Sequence, residues 1–251
     1  MSTSKVFIVT GASKGIGAAV TRKLISDSHK VVLAARSAKL LEQIKSANPD
    51  QIEYVAGDMT DPEISSKLVQ VAVQKFGRLD GMVINHGVLE NKLVAETSLE
   101  SMKQTYDVNV FSCVAMAQAG LQEIKKTRGC IIWVSSGAAL KAYQAWGAYG
   151  SSKAAMNAFC AHLALEEPDI TSVAIGPGRV DTDMQALIRT TGKDTMQPAV
   201  YQTFVDGYEA GELLKPEQPG GVIARLVASP LKEVSGQYIS WNAPALAAYQ
   251  S

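Results

Sequence analysis

Tyr149 and Lys153 are the first residues in this sequence whose types and spacing could do chemistry. Four residues apart on a helix, they share one face, a turn apart. An ammonium beside a phenol favours the phenolate and lowers its pKa from about 10, which makes a proton donor or acceptor usable near neutral pH. The same spacing also fits a plain surface helix carrying an aromatic and a snorkelling lysine. The surrounding chain therefore has to decide between them. Ser136 stands thirteen positions before Tyr149, at the end of the apolar run Cys130–Val134. Asn109 lies inside a helical pattern that runs from Thr97-x-x-Glu100 through Met102, Tyr106, Val110, Val114 and Met116. Asparagine is a poor helix-interior residue, so its presence there calls for a reason.

The elements that must position these groups alternate between strand and helix. Lys5–Thr10 is β-branched and apolar, as a buried parallel strand is. Gly11-Ala12-Ser13-Lys14-Gly15-Ile16-Gly17 follows at once, and Val20, Leu24 and Ile25 then set a helical pattern. A strand, a glycine loop and a helix are the setting of a phosphate-binding turn, in which backbone N–H groups and a helix N-terminus meet a pyrophosphate. The second strand, Val31–Ala35, ends at Arg36. An acidic residue there would bind the ribose 2′-hydroxyl of NAD, whereas Arg36, with Lys14 nearby, suits the 2′-phosphate of NADP. Ile52–Ala56 ends at Gly57-Asp58-Met59, where Asp58 can accept a hydrogen bond from an adenine amino group or simply cap the loop. Gly81–Asn85 leads to His86-Gly87, and Thr171–Ile175 to Gly176-Pro177-Gly178-Arg179-Val180-Asp181-Thr182. His86 reads as a structural or cofactor-wall histidine. Ser37 and the Thr60-Asp61-Pro62-Glu63 box are predicted to cap helices. Gly220–Ala228 reads as a helix and Gln237–Trp241 as a seventh strand.

The fold class predicted is α/β: one domain over residues 1–251, with a Rossmann-type doubly wound parallel sheet of about seven strands and helices on both faces. In such a sheet ligands bind at the carboxyl ends of the strands, where the glycine loop, Gly87, Ser136 and Pro177-Gly178 all converge. Residues 183–219 are less regular, mixing Gly, Pro and Thr with Met184, Leu187, Tyr201, Phe204 and Tyr208, and read as a substrate lid.

Composition narrows the function further. Lys plus Arg equals Asp plus Glu, 24 each, so no global field favours nucleic acid or an anionic membrane. Cys113, Cys130 and Cys160 are scattered and read as reduced core residues of a cytoplasmic protein. His29, His86 and His162 form no zinc-ligand spacing, so no metal is expected. The start, Met1 to Thr10, lacks the length and flanks of a signal peptide, and no apolar run approaches a membrane span.

The Thr10–Gly17 loop, Asn85-His86-Gly87, Asn109, Ser136, Tyr149-x-x-x-Lys153 and Pro177-Gly178-x-Val180-x-Thr182, in this order and spacing, resemble the short-chain dehydrogenase/reductase family over essentially the whole chain. Within it, the segments Trp146–Ala155, Val180–Met184 and Gly236–Leu246 look like fungal benzil reductases, relatives of sepiapterin reductase that reduce one carbonyl of a 1,2-diketone. The resemblance implies four catalytic residues. Ser136 would hydrogen-bond the carbonyl oxygen and Tyr149 would protonate it. Lys153 would tune Tyr149 and hold the nicotinamide ribose, and Asn109 would hold a water that relays protons to Lys153. It also implies NADP(H) contacts from Gly11, Ser13, Lys14, Gly15, Ile16, Gly17, Arg36, Asp58, Met59, Asn85, Gly87, Tyr149, Lys153, Pro177, Gly178 and Val180, with Thr182 anchoring the carboxamide end. The substrate would be a small carbonyl compound, and the family implies a homodimer or homotetramer. Tyr143, Trp146, Met184 and Tyr208 are candidate pocket walls for an aromatic or apolar substrate. Two departures bear on this: His86 stands where the family usually has Ala, and Ala243 falls where sepiapterin reductases anchor a pterin with Asp.

Overall fold

Seven short runs form strands, and the five inside the sheet are buried on both faces and so need a covering layer on each side. The seven are β1 (Val6–Thr10), β2 (Lys30–Ala35), β3 (Ile52–Ala56), β4 (Gly81–Ile84), β5 (Cys130–Val134), β6 (Thr171–Gly176) and β7 (Tyr238–Ser240). In the computed structural model they form one parallel sheet in the order β3-β2-β1-β4-β5-β6-β7. The structure describes residues 4–250; the first residues of the Met1–Thr10 stretch, read above for a targeting signal, lie outside them. Alternate residues of each strand feed two cores. Phe7, Val9, Leu33, Val83 and Ile132 pack on one side against α1 (Gly15–Ser26), α2 (Ala38–Ala47) and α9 (Glu217–Ala228). Ile8, Val32, Met82, Ile84 and Trp133 pack on the other against α3 (Pro62–Phe76), α5 (Ser112–Thr127) and α6 (Gly147–Glu166). The strand order reverses between β1 and β4, and the cleft opens at the carboxyl ends beside that switch point.

Several local expectations change. Ser37 caps α2 by accepting from the Leu40 N–H, but α3 is capped by Asp61, which accepts from the Glu63 N–H, with Pro62 at the first helical position. Ser98, not Thr97, caps α4 (Leu99–Tyr106). Thr97 instead donates to the Leu93 carbonyl at 2.8 Å. The long helix through Asn109 is broken: α4 and α5 are joined by a π-helical turn, Asp107–Phe111. Residues 183–219 are not irregular. They form α7 (Asp183–Thr191), α8 (Pro198–Glu209) and the start of α9. Their glycines and prolines punctuate helix ends: Gly192 follows α7, Pro198 opens α8, and Gly211 turns away from α8 at φ +68°. Among the described residues, no helix is long and apolar enough to cross a membrane, and no cluster of His, Cys, Asp and Glu could hold a metal.

Candidate active site

β5 ends at two serines whose hydroxyls do different things. Ser135 is buried and donates to Asn157 Oδ1 at 2.6 Å, so its proton is committed. Ser136 accepts from the Ala138 N–H at 3.1 Å, and its own hydroxyl turns to Tyr149 at the cavity. After a loop, Ala145 turns the chain into α6 with a left-handed backbone, φ +66°, a conformation that costs a residue with a Cβ roughly 1–2 kcal/mol. That turn points Trp146 and Tyr149 at the same cavity as Ser136.

Tyr149 is 6% exposed and Lys153 4%. Lys153 Nζ donates to the Val134 carbonyl at 2.9 Å and stands 6.0 Å from the centre of the Tyr149 ring. Burial pushes the Tyr149 phenol above its ordinary value, and the Ser136 hydroxyl pulls it partly back. Burial also pushes the Lys153 ammonium down. The net shift of Tyr149 is therefore upward, opposite to the lowering that the spacing predicts, because burial dominates. At neutral pH the phenol is protonated, the form that donates to a carbonyl oxygen.

Asn109 sits in the π turn, fully buried. Its Oδ1 accepts from the Val88 N–H at 2.8 Å, and its Nδ2 donates to the Val88 carbonyl and to Ser152 Oγ at 2.9 and 3.0 Å. Both amide protons and one acceptor position are used, as a brace between α6 and the loop after β4. A methyl added to Gly87 would stand 3.2 Å from Asn109 Oδ1 and 3.4 Å from Lys153 Nζ, so the glycine keeps space beside both.

From these groups a cleft runs back along the strand ends. Near α6 it is bordered by Gly15, Ile16, Asn85, Gly87, Lys153, Pro177 and Thr182. Beyond Lys14 and Gly87 it continues past Gly11, Ser13, Arg36, Asp58 and Met59. Pro177, Gly178, Val180 and Thr182 also border the cavity at Ser136. The glycine loop is shaped for close approach. Gly11 and Gly15 have φ of +63° and +53°. Gly17 borders no part of the cleft, but a Cβ there would overlap the Gly11 carbonyl. Asn85 Nδ2 donates to the Thr10 and Gly11 carbonyls at 3.0 and 3.2 Å, so its amide protons hold the loop. Asp58 Oδ1 accepts from the Thr60 N–H and hydroxyl, and these bonds hold its carboxyl below the usual range. Its second oxygen is left for a ligand. Arg36 is exposed and makes no ion pair among the described residues. Lys14 does: its Nζ lies 2.9 Å from Asp183 Oδ2 at the start of α7, with both side chains largely exposed. Such a pair is worth at most about 1 kcal/mol, little enough for a phosphate to displace.

The cavity beyond Ser136 is aromatic. Tyr143 and Trp146 pack with ring centres 4.8 Å apart, Trp146 meets Tyr149 edge-on at 5.8 Å, and Phe204 from α8 closes on Trp146 at 5.5 Å. Met184 borders it as predicted. Tyr208 does not. It is 50% exposed and lies along the neighbouring cofactor cleft, with the Arg189 guanidinium 3.8 Å over its ring. Tyr208 is one turn beyond Phe204 on the same face of α8, and the rise of that turn carries it past the cavity to the cleft, so Phe204 is the α8 ring that lines the cavity. Leu89, Ile188, Phe204, Gln185 and Arg189 are site residues that the sequence reading missed. Arg189 Nη1 is buried without a partner beside the cleft. A half-buried arginine with one unpartnered nitrogen, an open glycine cradle and an exposed Arg36 fit an anionic dinucleotide.

A model of short chain dehydrogenases matches residues 5–193, most of the chain. The chain belongs to the short-chain dehydrogenase family. Members use nicotinamide cofactors, and this cleft fits one. The chain is 42% identical over 248 residues to the uncharacterized oxidoreductase YIR035C of Saccharomyces cerevisiae, covering 97% of this chain and 98% of that one. The crystal structure of that yeast protein superposes with a TM-score of 0.97 over 99% of this chain and 100% of the other. It is 36% identical over 252 residues to the S. cerevisiae benzil reductase ((S)-benzoin forming) IRC24, covering 95% and 96%. An alcohol dehydrogenase from Thermococcus sibiricus, solved with 5-hydroxy-NADP, is 26% identical with a TM-score of 0.78 over 96% and 99%.

For a short-chain dehydrogenase, His86 is the departure in this cleft. Its Nδ1 lies 2.7 Å from Thr10 Oγ1 and its Nε2 2.8 Å from Ser112 Oγ, tying β1 to α5. Burial first, then Lys153, push its pKa down to about 3, so the ring is neutral and structural. The unfolded chain, with a histidine near 6.5, takes up that proton first. Stability is therefore lost as pH falls from about 6.5 towards 3. Between pH 7 and 5 the His86 part of this loss is about 2 kcal/mol. In His86→Ala the difference in unfolding free energy between the two pH values, measured by urea titration, is expected to shrink by that amount.

Proposed function

We propose that the protein is an NADPH-dependent carbonyl reductase that reduces one carbonyl of a 1,2-diketone or a related aromatic ketone. The observation that carries this reading is the meeting of two spaces at Tyr149. The dinucleotide cleft and the aromatic cavity both end on it, beside the hydroxyl of Ser136. The reduced nicotinamide supplies a hydride to the carbonyl carbon. Negative charge then grows on the carbonyl oxygen, where the Ser136 O–H donates a hydrogen bond and the Tyr149 phenol gives up its proton. Burial of Tyr149 keeps that proton in place until it is needed. Lys153 lines the cleft beside Tyr149 and would bind the ribose with the N–H groups that Val134 leaves free. Asn109 holds the turn that seats them, and a water held there would refill the proton. Thr182, at the entry to α7, would meet the carboxamide end. The helices over residues 183–219 act in this reading as the lid over the substrate.

The NADP preference rests on Arg36, with Lys14 released from Asp183 as a second cation. Arg36→Asp is expected to lower kcat/KM for NADPH by roughly 10–100-fold while leaving that for NADH unchanged or higher, by loss of about 1.5–3 kcal/mol of charge-assisted hydrogen bonding. Equal kcat/KM for NADPH in both forms would remove the argument. The likeness to a yeast benzil reductase and the aromatic walls support a diketone. Three free, buried cysteines fit a cytoplasmic protein. Exposed Phe159 and Leu165 on α6, with Phe111 before α5, fit a homodimer or homotetramer built through these helices.

A further inference from the structure

Helix α7 stands between the two spaces of the site. Gln185 and Ile188 on one face border the substrate cavity, whereas Ala186 and Arg189, one turn apart, border the dinucleotide cleft. The start of α7 lies against the glycine loop: a Cβ on Gly15 would stand 3.1 Å from Thr182 Cγ2, and Lys14 pairs with Asp183. Residues at the start of α1 and residues of α7 therefore line one cleft together.

The charge at Arg189 has no counterpart in the protein. Two carboxylates border the same cleft, but Asp183 pairs with Lys14, and among the described residues Arg189 forms no ion pair with Asp181 or any other acid. Its half-buried guanidinium lies 3.8 Å over the Tyr208 ring, and its Nη1 is buried with no hydrogen-bond partner. Tyr201 Oη donates to the Arg189 carbonyl at 2.9 Å, so α8 supports both the main chain and the side chain of this residue. Stacking uses the face of a guanidinium. Its N–H groups lie in the plane and stay available to oxygens. A cation in the last turn of α7 also offsets the helix dipole, but a fully exposed side chain does that without leaving a buried nitrogen unpaired. A guanidinium has donors and no acceptor, so its ligand must bring oxygens, best with negative charge. In a dinucleotide the group that a glycine loop and a helix N-terminus hold is the diphosphate.

We propose that Arg189 binds the diphosphate of the nicotinamide dinucleotide, holding from α7 the group that the glycine loop holds from α1. The inference rests on the dinucleotide part of the reading above and not on its carbonyl substrate.

The test measures dissociation constants for NADPH and NADH by calorimetry in the wild-type protein, Arg189→Met and Arg189→Lys. Arg189→Met is expected to weaken both dinucleotides by the same factor, roughly 10–100-fold, because both carry the diphosphate. Arg189→Lys keeps the charge without the planar fork and is expected to fall between Arg189→Met and wild type. A loss confined to NADPH would put Arg189 at the 2′-phosphate and overturn the assignment. So would affinities within about twofold of wild type, or a loss in Arg189→Lys as large as in Arg189→Met, which would mark a packing role. No carbonyl compound enters these titrations. A protein that shows the predicted affinities but reduces no ketone would lose the carbonyl-reductase reading and keep this assignment, and one that binds neither dinucleotide would overturn both.

Discussion

Tyr149→Phe is expected to lower turnover about 10²–10⁴-fold while leaving NADPH binding within a few-fold of wild type. The substitution removes one oxygen and keeps the ring, so the edge-on contact with Trp146 survives. The fold around it does not depend on that oxygen, since no backbone group is bound to it. What is lost is the proton. Burial holds the Tyr149 proton above the ordinary tyrosine range, and Tyr149 is the phenol that borders both the cavity at Ser136 and the cleft at Lys153. Ser136 alone would still polarise the carbonyl, so a residual rate is expected rather than none. Steady-state oxidation of NADPH with a diketone measures the turnover.

Lys153→Met is expected to harm both rate and binding. Methionine fills much of the same volume, but the Nζ bond to the Val134 carbonyl is lost, and so is the cation that borders the cleft one turn from Tyr149. Turnover should fall by about 10²-fold or more, and NADPH affinity should weaken by about tenfold, as expected for charge-assisted bonds removed from a buried site. Fluorescence titration with NADPH separates the two effects. Unchanged affinity would confine Lys153 to the chemistry.

The frame of the candidate site was legible because it is written in strand-end chemistry. A β-branched strand running into glycines allows few structures, and the parallel sheet then gathers Gly87, Ser136 and Thr182 without further information. Asn109 carried a signal too: a residue poor in helices sits where the hydrogen bonding shifts to a π turn. That shift itself leaves no mark in composition, so the break between α4 and α5 was not readable. The cap at Ser98 rather than Thr97 was a choice between neighbours of equal chemistry, settled by where the loop before α4 places Thr97.

Other features depend on placement rather than identity. Lys153 has the spacing to tune Tyr149, but burial dominates and raises the phenol, and only three-dimensional structure shows that. Tyr208 and Phe204 are both lid aromatics on one face of α8, and where the cavity falls along the helix decides which one lines it. The glycines and prolines at the ends of α7 and α8 disguised two helices as irregular chain. Gln185 and Arg189 were missed because being unpartnered is a property of surroundings. One signal was present: Gln185 is a polar residue one turn from Ile188, on the buried side of an amphipathic helix.

The central claim is that Tyr149 donates the proton in an NADPH-dependent reduction of a carbonyl. Its most direct test pairs two readings on the same preparations of wild type and Tyr149→Phe: single-turnover reduction of benzil by bound NADPH, and the NADPH dissociation constant. The account predicts reduction by the wild-type protein, a loss of about 10²-fold or more in the variant, and dissociation constants that agree within a few-fold. Equal single-turnover rates, or a variant that fails only because it no longer binds NADPH, would contradict it.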